Sequence, residues 1–163
     1  MHIAHFIHRY PPAIGGSESY VQRLSEYFAK TGNNVSIWTT TAIELPALWK
    51  RGFQQLSPGI EIADSGVQIR RYQPLTFPAR KVILKALSLV PVRSWQAVTV
   101  PCNPICPQLV YDLDRHEQPL DMVHAFAFPF SFLAWSALRL ARRRDVPFLL
   151  TPFLHLGDPN NHS

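Results

Sequence analysis

The chain of 163 residues is 47% hydrophobic and 17% charged, so it has enough apolar content to bury the core of one domain and is not wholly disordered. Its net charge of +5 suits an anionic ligand, a nucleic acid or an acidic membrane surface, and does not choose among them. No stretch reaches the roughly 18 apolar residues that a membrane-spanning helix needs.

The cysteines and the first residues bear on the cellular compartment. Cys102 and Cys106 lack the second ligand pair of a zinc site, so we expect no bound metal. Residues 1–10 carry three histidines and an arginine, and no long apolar stretch follows them. We therefore expect a cytoplasmic protein with reduced cysteines.

The first forty residues predict a strand–helix–strand unit. Residues 3–7 form an apolar strand, and 17–31 have helical spacing, with Ser17 as the N-cap and Gly32 as the stop. The β-rich run 35–40 follows directly. A right-handed crossover makes the two strands parallel.

The middle of the chain is less regular. Residues 41–59 predict loops with at most a short helix near 47–56. Two short strands are expected at 60–63 and 67–72, separated by turn residues.

Residues 79–89 predict an amphipathic helix that packs on the sheet and keeps a basic face in water. Its apolar positions are Val82, Ala86 and Leu89, and its basic positions are Arg80, Lys81 and Lys85. A helix of this composition can also rest on an anionic membrane, and that alternative stays open. The proline-rich stretch 90–107 is expected to be irregular, and a short helix follows at 108–116.

The last third returns to regular alternation. Residues 121–126 and 145–151 predict strands, and 130–144 predict an apolar helix that ends in three arginines. Strands that alternate with helices indicate an α/β fold, with a parallel sheet covered by helices on both faces.

Gly15 and Gly16 stand where the first strand leads into the first helix. The first N–H groups of a helix have no partner within it, and its dipole favours negative charge there. Without a Cβ, the two glycines let a phosphate approach the backbone. They also suit the tight turn of any strand–helix connection. A dinucleotide fingerprint would need G-x-G-x-x-G, which this segment does not have.

A longer pattern surrounds the glycine pair and continues along the chain. Its residues near the start are Pro11, Pro12, Gly15, Gly16, Glu18, Val21, Leu24, Phe28, Gly32 and Val35. This pattern resembles the N-terminal signature of family 4 glycosyltransferases with the GT-B fold. The segments 66–71, 121–124 and 146–155 resemble the third strand, the fourth strand, and the next strand with its histidine turn in that family.

The resemblance implies one lobe of a two-domain enzyme. Residues 1–163 would be the N-terminal, acceptor-side, Rossmann-like domain, incomplete at its C-terminal end and lacking the C-terminal donor-binding domain. The implied activity is that of a retaining hexosyltransferase. It would move a sugar from a UDP- or GDP-type nucleotide sugar to a glycan, lipid or small-molecule acceptor, without cofactor or metal. We expect the fragment alone to be inactive, and peripheral contact with the inner face of the membrane would suit a lipid-linked acceptor.

The resemblance also assigns roles to individual residues. Gly15 and Gly16 would contact the donor diphosphate, and His155 would lie beside the transferred sugar as the catalytic residue. The acceptor or sugar would meet Glu18, His124 and Arg71. The family's fourth strand often carries His-x-His, whereas the second position here is Phe126, so one acceptor contact is missing.

Simpler explanations exist for several of these residues. His124 and His155 also suit imidazoles bound to the backbone, and Glu18 is favourable in a first helical turn whatever the function. The histidines at positions 2, 5 and 8 alternate between the two faces of a strand, so they cannot converge on one metal ion. Only His8 lies at the strand end where ligands bind.

Two other classes of function share features with this sequence. Half of an NAD-type oxidoreductase shares the strand–glycine–helix opening, but no acidic residue ends the second strand at 39–41. A nucleic-acid or membrane-binding module would explain the positive charge, but the basic residues are scattered and not banded with aromatics.

Overall fold

Six strands form one sheet in the computed structural model, which describes residues 1–126 and 130–153. The strands are β1 (His2–Ile7), β2 (Asn34–Thr40), β3 (Gly59–Ile62), β4 (Gln68–Tyr72), β5 (Met122–Phe126) and β6 (Phe148–Thr151). Their spatial order is β3-β4-β2-β1-β5-β6. The helices are α1 (Gly16–Lys30), α2 (Arg80–Leu87), α3 (Arg93–Thr99), α4 (Pro107–Arg115) and α5 (Phe132–Arg144), with a 3₁₀ turn at Leu45–Leu48. This arrangement confirms the α/β, Rossmann-like fold expected from the sequence.

All neighbouring strands are parallel except β3, which pairs antiparallel with β4 at the edge of the sheet. Only five residues, 63–67, connect β3 to β4, and a connection that short permits only an antiparallel hairpin. Gly66 adopts a positive φ of 82° in this turn, which a residue with a Cβ rarely does.

The core lies in two layers, because side chains alternate between the faces of each strand. On one face, Val21 of α1 packs against apolar residues of β1, β2 and β4, among them Ile7, Ile37 and Ile69. On the other face, α4 and α5 cover Phe6 and Trp38. The ring of Trp38 stacks between those of Phe6 and Tyr72, at centroid distances of 5.6 and 5.8 Å.

The start of α1 differs from the prediction. The helix begins at Gly16 with Gly15 as its N-cap, and no side chain caps it. Ser17, the expected N-cap, donates its hydroxyl proton to Oε2 of Glu18 at 2.7 Å. The predicted stop is confirmed, since α1 ends at Lys30 and Gly32 follows with a φ of 85°.

Helix α2 forms where it was expected, but the prediction of its buried face is wrong. Val82 and Leu89 are 70% and 79% exposed, whereas Arg80 is only 3% exposed. The Arg80 guanidinium donates to the carbonyls of Leu75 (3.0 Å), Pro101 (2.7 Å) and Asn103. These carbonyls belong to irregular chain and need donors, so a basic residue faces inward and apolar ones face outward.

The stretch 90–107 was expected to be irregular, yet it contains α3 and a polar anchor for α5. The Oδ1 atom of Asn103 accepts the backbone N–H groups of Ser131 (2.8 Å) and Phe132 (3.3 Å). A side chain far away in sequence thus caps the start of α5. Among the helices of residues 1–126 and 130–153, none is long and apolar enough to cross a membrane.

Candidate functional site

The strand order reverses its direction between β1 and β5. From β1 the chain proceeds to β2 on one side, whereas β5 lies on the other side of β1 and continues to β6. In open α/β sheets the crevice at the carboxyl ends of such neighbouring strands is where ligands bind. The loop from β1 to α1, residues 8–15, lies at this edge of the sheet.

Gly15 and Gly16 have different surroundings. A Cβ on Gly15 would overlap with the carboxylate of Glu18, whereas a Cβ on Gly16 would meet no atom of residues 1–126 and 130–153 within 4 Å. Neither residue has a φ in the left-handed region, so backbone strain does not require glycine at either position. The close approach of Glu18 accounts for Gly15, while packing within the described part of the chain does not account for Gly16. A ligand that approaches the backbone would account for it.

Glu18 is buried at the start of α1 and paired with Arg9 of the preceding loop. Its Oε1 lies 2.5 Å from an Arg9 guanidinium nitrogen. The other guanidinium nitrogen of Arg9 donates to the carbonyl of Ile43 at 3.1 Å. A carboxylate and a guanidinium thus lie together near the start of α1, at the positive end of the helix dipole, and Gly16 is exposed there.

Arg71 is also buried, on β4, and connects three parts of the chain. Its guanidinium donates to the carbonyl of Pro11 at 2.6 Å and to Oε1 of Glu61 at 2.7 and 2.9 Å. The bond to Pro11 fastens the β1–α1 loop to the sheet. Arg71, expected to contact acceptor or sugar, therefore supports the loop that carries Gly15.

His124 is almost buried on β5 and faces α1. Its Nε2 lies 2.8 Å from Oγ1 of Thr151 on β6. Its ring contacts that of Phe126, with the centroids 3.9 Å apart. Burial lowers the pKa of His124 to about 4, so the imidazole is neutral at pH 7.

His5 lies beside His124 on the neighbouring strand, with ring centroids 5.4 Å apart. Its Nδ1 is 2.8 Å from the hydroxyl of Ser25, which itself donates to the carbonyl of Val21 at 2.7 Å. The hydroxyl must therefore accept from His5, which assigns the proton to Nδ1. Burial and the neighbouring His124 lower the pKa of His5 to about 3.

The end of β6 approaches α1 through aromatic rings. Phe153 lies 5.8 Å from Tyr20 of α1 and 6.2 Å from Phe126, measured between centroids. Tyr20 follows the glycine pair by one helical turn. His155, the predicted catalytic residue, lies outside the described residues.

His2 and His5 on β1, and His8 just after it, contact different neighbours. The ring of His2 contacts that of His116, His5 contacts Ser25, and the ring of His8 contacts that of Phe130 at 5.1 Å. Burial lowers the pKa of His8 to about 4. Within the described part of the chain, no three histidine, cysteine or acidic side chains are grouped closely enough to hold a metal ion.

The sequence interpretation missed Arg9. A cation two residues after a first strand stands at the ligand-binding edge of the sheet, and Glu18 in the first turn of α1 is a partner of opposite charge. That combination was the available signal.

The fold and the glycine-bearing edge define an α/β domain of the type found in glycosyltransferases. Comparison with protein families gives a match to the glycosyl transferase 4-like domain over residues 15–163. The chain belongs to this family, whose domains act in moving a sugar from a donor to an acceptor. A comparison with individual curated proteins gives no match.

Proposed function

We propose that this domain is the acceptor-side half of a retaining hexosyltransferase that uses a UDP- or GDP-type nucleotide sugar. The acceptor is a glycan, a lipid or a small molecule. The observation that carries the proposal is Gly16: it is exposed at the start of α1, at the carboxyl edge of the sheet, and packing among the residues that the structure describes gives no reason for a glycine there. The family assignment favours glycosyl transfer over the NAD-type alternative.

The residues near Gly16 suggest how the domain assists the reaction. The first N–H groups of α1 bind the donor diphosphate, and the helix dipole stabilises the charge that grows as it leaves. Arg9 adds a cation next to this position, held by Glu18. The acceptor hydroxyl attacks the anomeric carbon from the face that the diphosphate leaves and gives its proton to the departing diphosphate, while His155 donates a hydrogen bond to the donor sugar.

We also propose that a second domain holds most of the donor and that the reaction uses no cofactor or metal. Glu18 and His124 border the acceptor, and Arg71 supports the loop beside it. The reaction takes place in the cytoplasm, with peripheral contact at the inner face of the membrane when the acceptor is lipid-linked.

The direct test is ligand binding followed by NMR. UDP, GDP and their sugar conjugates are titrated into isotope-labelled protein, and we expect the amide signals of residues 14–19 to shift. Gly16→Ala should weaken this binding about tenfold or more, because a methyl group then stands where the phosphate approaches. Ser57→Ala, on an exposed loop before β3, should leave it unchanged.

Two results would contradict the proposal. Shifts with NAD and none with nucleoside diphosphates would favour the oxidoreductase alternative. Sugar transfer by the 163-residue chain alone would contradict the assignment of most donor contacts to a second domain.

A further inference from the structure

We propose that α2, α3 and the turn between them, residues 80–99, form a docking surface for an anionic lipid bilayer; we call this segment the α2–α3 hairpin. The inference deepens the membrane contact of the proposed function by naming the surface and the lipid chemistry. It is tested without glycosyl transfer, so its failure and that of the proposed activity can be told apart.

The outer side of the hairpin exposes apolar side chains. Val82 and Leu89 are 70% and 79% exposed, and Ile83 is exposed by more than 40%. Single exposed apolar residues are ordinary, but three within residues 82–89 indicate an interaction site.

The inner side of the hairpin is apolar as well. A groove of about 600 Å³ separates the hairpin from α4 and α5, and side chains of both line it. From the hairpin these include Leu84, Leu87 and Trp95, and from the body Val110 and Trp135. The hairpin therefore offers apolar surface on both sides and does not close over a core of its own.

The positive charge of the hairpin favours an anionic bilayer as its partner. Residues 65–111 contain no aspartate or glutamate. Lys81 and Lys85 are exposed one turn apart on α2, and Arg93 is exposed at the start of α3. These cations flank the apolar turn and complement the negative surface of a bilayer that contains acidic lipids.

The backbone at the turn suits a lipid environment. The N–H groups of Leu89, Val90 and Val92 all donate to carbonyls within the hairpin. Pro91 has no N–H, so every backbone donor from 89 to 92 is satisfied.

Carbonyls at the end of α2 are satisfied by side chains of α3. The indole N–H of Trp95 donates to the carbonyl of Leu87 at 2.8 Å, and the amide of Gln96 donates to that of Ser88 at 3.2 Å. Apolar side chains over an internally bonded backbone can enter the headgroup region at little cost. A surface that binds another protein would instead carry fewer lysines and more unpaired hydrogen-bond donors and acceptors.

The test is flotation of the 163-residue chain with vesicles of phosphatidylcholine, with and without phosphatidylglycerol. We expect binding only to the vesicles that contain phosphatidylglycerol. The triple variant Lys81→Gln, Lys85→Gln, Arg93→Gln should bind roughly a hundredfold more weakly, about fivefold for each charge removed. A second variant, Val82→Asn with Leu89→Asn, should weaken binding about tenfold at unchanged net charge.

The matched control removes three exposed charges elsewhere, by Arg23→Gln, Lys30→Gln and Arg142→Gln. It lowers the net charge equally and should bind as the unaltered chain does. Circular dichroism establishes that each variant is folded.

Three results would overturn the inference. The first is failure to bind anionic vesicles, and the second is equal loss in the control and the hairpin triple variant. The third is that the chain does not bind lipid but self-associates with rising concentration, and that Val82→Asn with Leu89→Asn abolishes this self-association. That result would assign the surface to a second copy of the chain.

Discussion

The carboxylate of Glu18 occupies the space that a Cβ on Gly15 would need. Glu18 is held there by Arg9, at 2.5 Å, and by the hydroxyl of Ser17, at 2.7 Å. The two neighbouring glycines therefore meet different requirements. Gly15 leaves space for the carboxylate of Glu18, and Gly16 leaves space on the outside of the protein.

Alanine substitution separates these two requirements. Gly15→Ala should lower the free energy of unfolding by about 1–3 kcal/mol, because Glu18 must leave Arg9 to avoid the new methyl group. Gly16→Ala should be neutral or stabilise by up to about 0.5 kcal/mol, since alanine is the better helix former and the space is open. Urea denaturation measures both. The Gly15→Ala penalty should shrink in a Glu18→Ala background, and a penalty of unchanged size would contradict the contact.

The ion pair between Arg9 and Glu18 should contribute more than the exposed pairs of the same protein. Glu18→Gln leaves a largely buried guanidinium without its counter-charge, and we expect a loss on the order of 2–4 kcal/mol. Asp114→Asn removes a carboxylate that pairs with Arg139 and Arg143 at the surface and should cost less than about 1 kcal/mol. Equal losses in thermal or urea unfolding would contradict this ranking.

Arg80 should be essential for the attachment of the hairpin. Arg80→Met removes the donor to three backbone carbonyls, and we expect at least about 3 kcal/mol of destabilisation. Arg80→Lys should not restore it, because an ammonium does not reproduce the planar fork of a guanidinium. The neighbouring Lys81→Met, at an exposed position, should change the unfolding free energy by less than about 0.5 kcal/mol. Hydrogen exchange of residues 80–99 would report local detachment, and unchanged protection in Arg80→Met would contradict the role.

Buried histidines should make the fold acid-sensitive. Burial lowers the pKa of His5 to about 3 and the pKa values of His8 and His124 to about 4, against 6.5 for an exposed histidine. The unfolded chain takes up protons below about pH 6.5, whereas the folded chain does so only near pH 3–4. The free energy of unfolding should therefore fall as the pH drops through that window, by up to about 1.4 kcal/mol per pH unit for each histidine.

The measurement is urea denaturation between pH 7 and pH 5. His5→Gln keeps a polar group opposite Ser25 but does not titrate, so its stability should fall less steeply with decreasing pH. A slope identical to that of the unaltered chain would show that His5 is not among the responsible groups.

Much of the sheet could be predicted because local patterns were sufficient for it. The apolar run that became β1, the helical spacing of Val21, Leu24 and Phe28, and the stop at Gly32 are properties of short segments. The strand–helix alternation then allowed few topologies, and the observed order is one of them. The position of the glycine pair at the start of a helix followed from the same patterns.

The predictions about α1 and α2 failed where distant partners compete with local preferences. Ser17 is a good N-cap by type, yet its hydroxyl is used by the buried carboxylate of Glu18. Helix α2 was expected to bury Val82 and Leu89, but the carbonyls of Leu75, Pro101 and Asn103 draw Arg80 inward and turn the apolar residues to the surface.

Local composition and periodicity thus sufficed for the class of fold and most of its elements, and the resemblance of several short motifs indicated the family, because each depends on residues close together in the chain. The pairing of Arg9 with Glu18, the anchoring of the β1–α1 loop by Arg71 and the outward face of the α2–α3 hairpin needed the folded coordinates. Each of these depends on which charged side chain reaches an unsatisfied partner from another element. That competition is resolved only when the elements pack together.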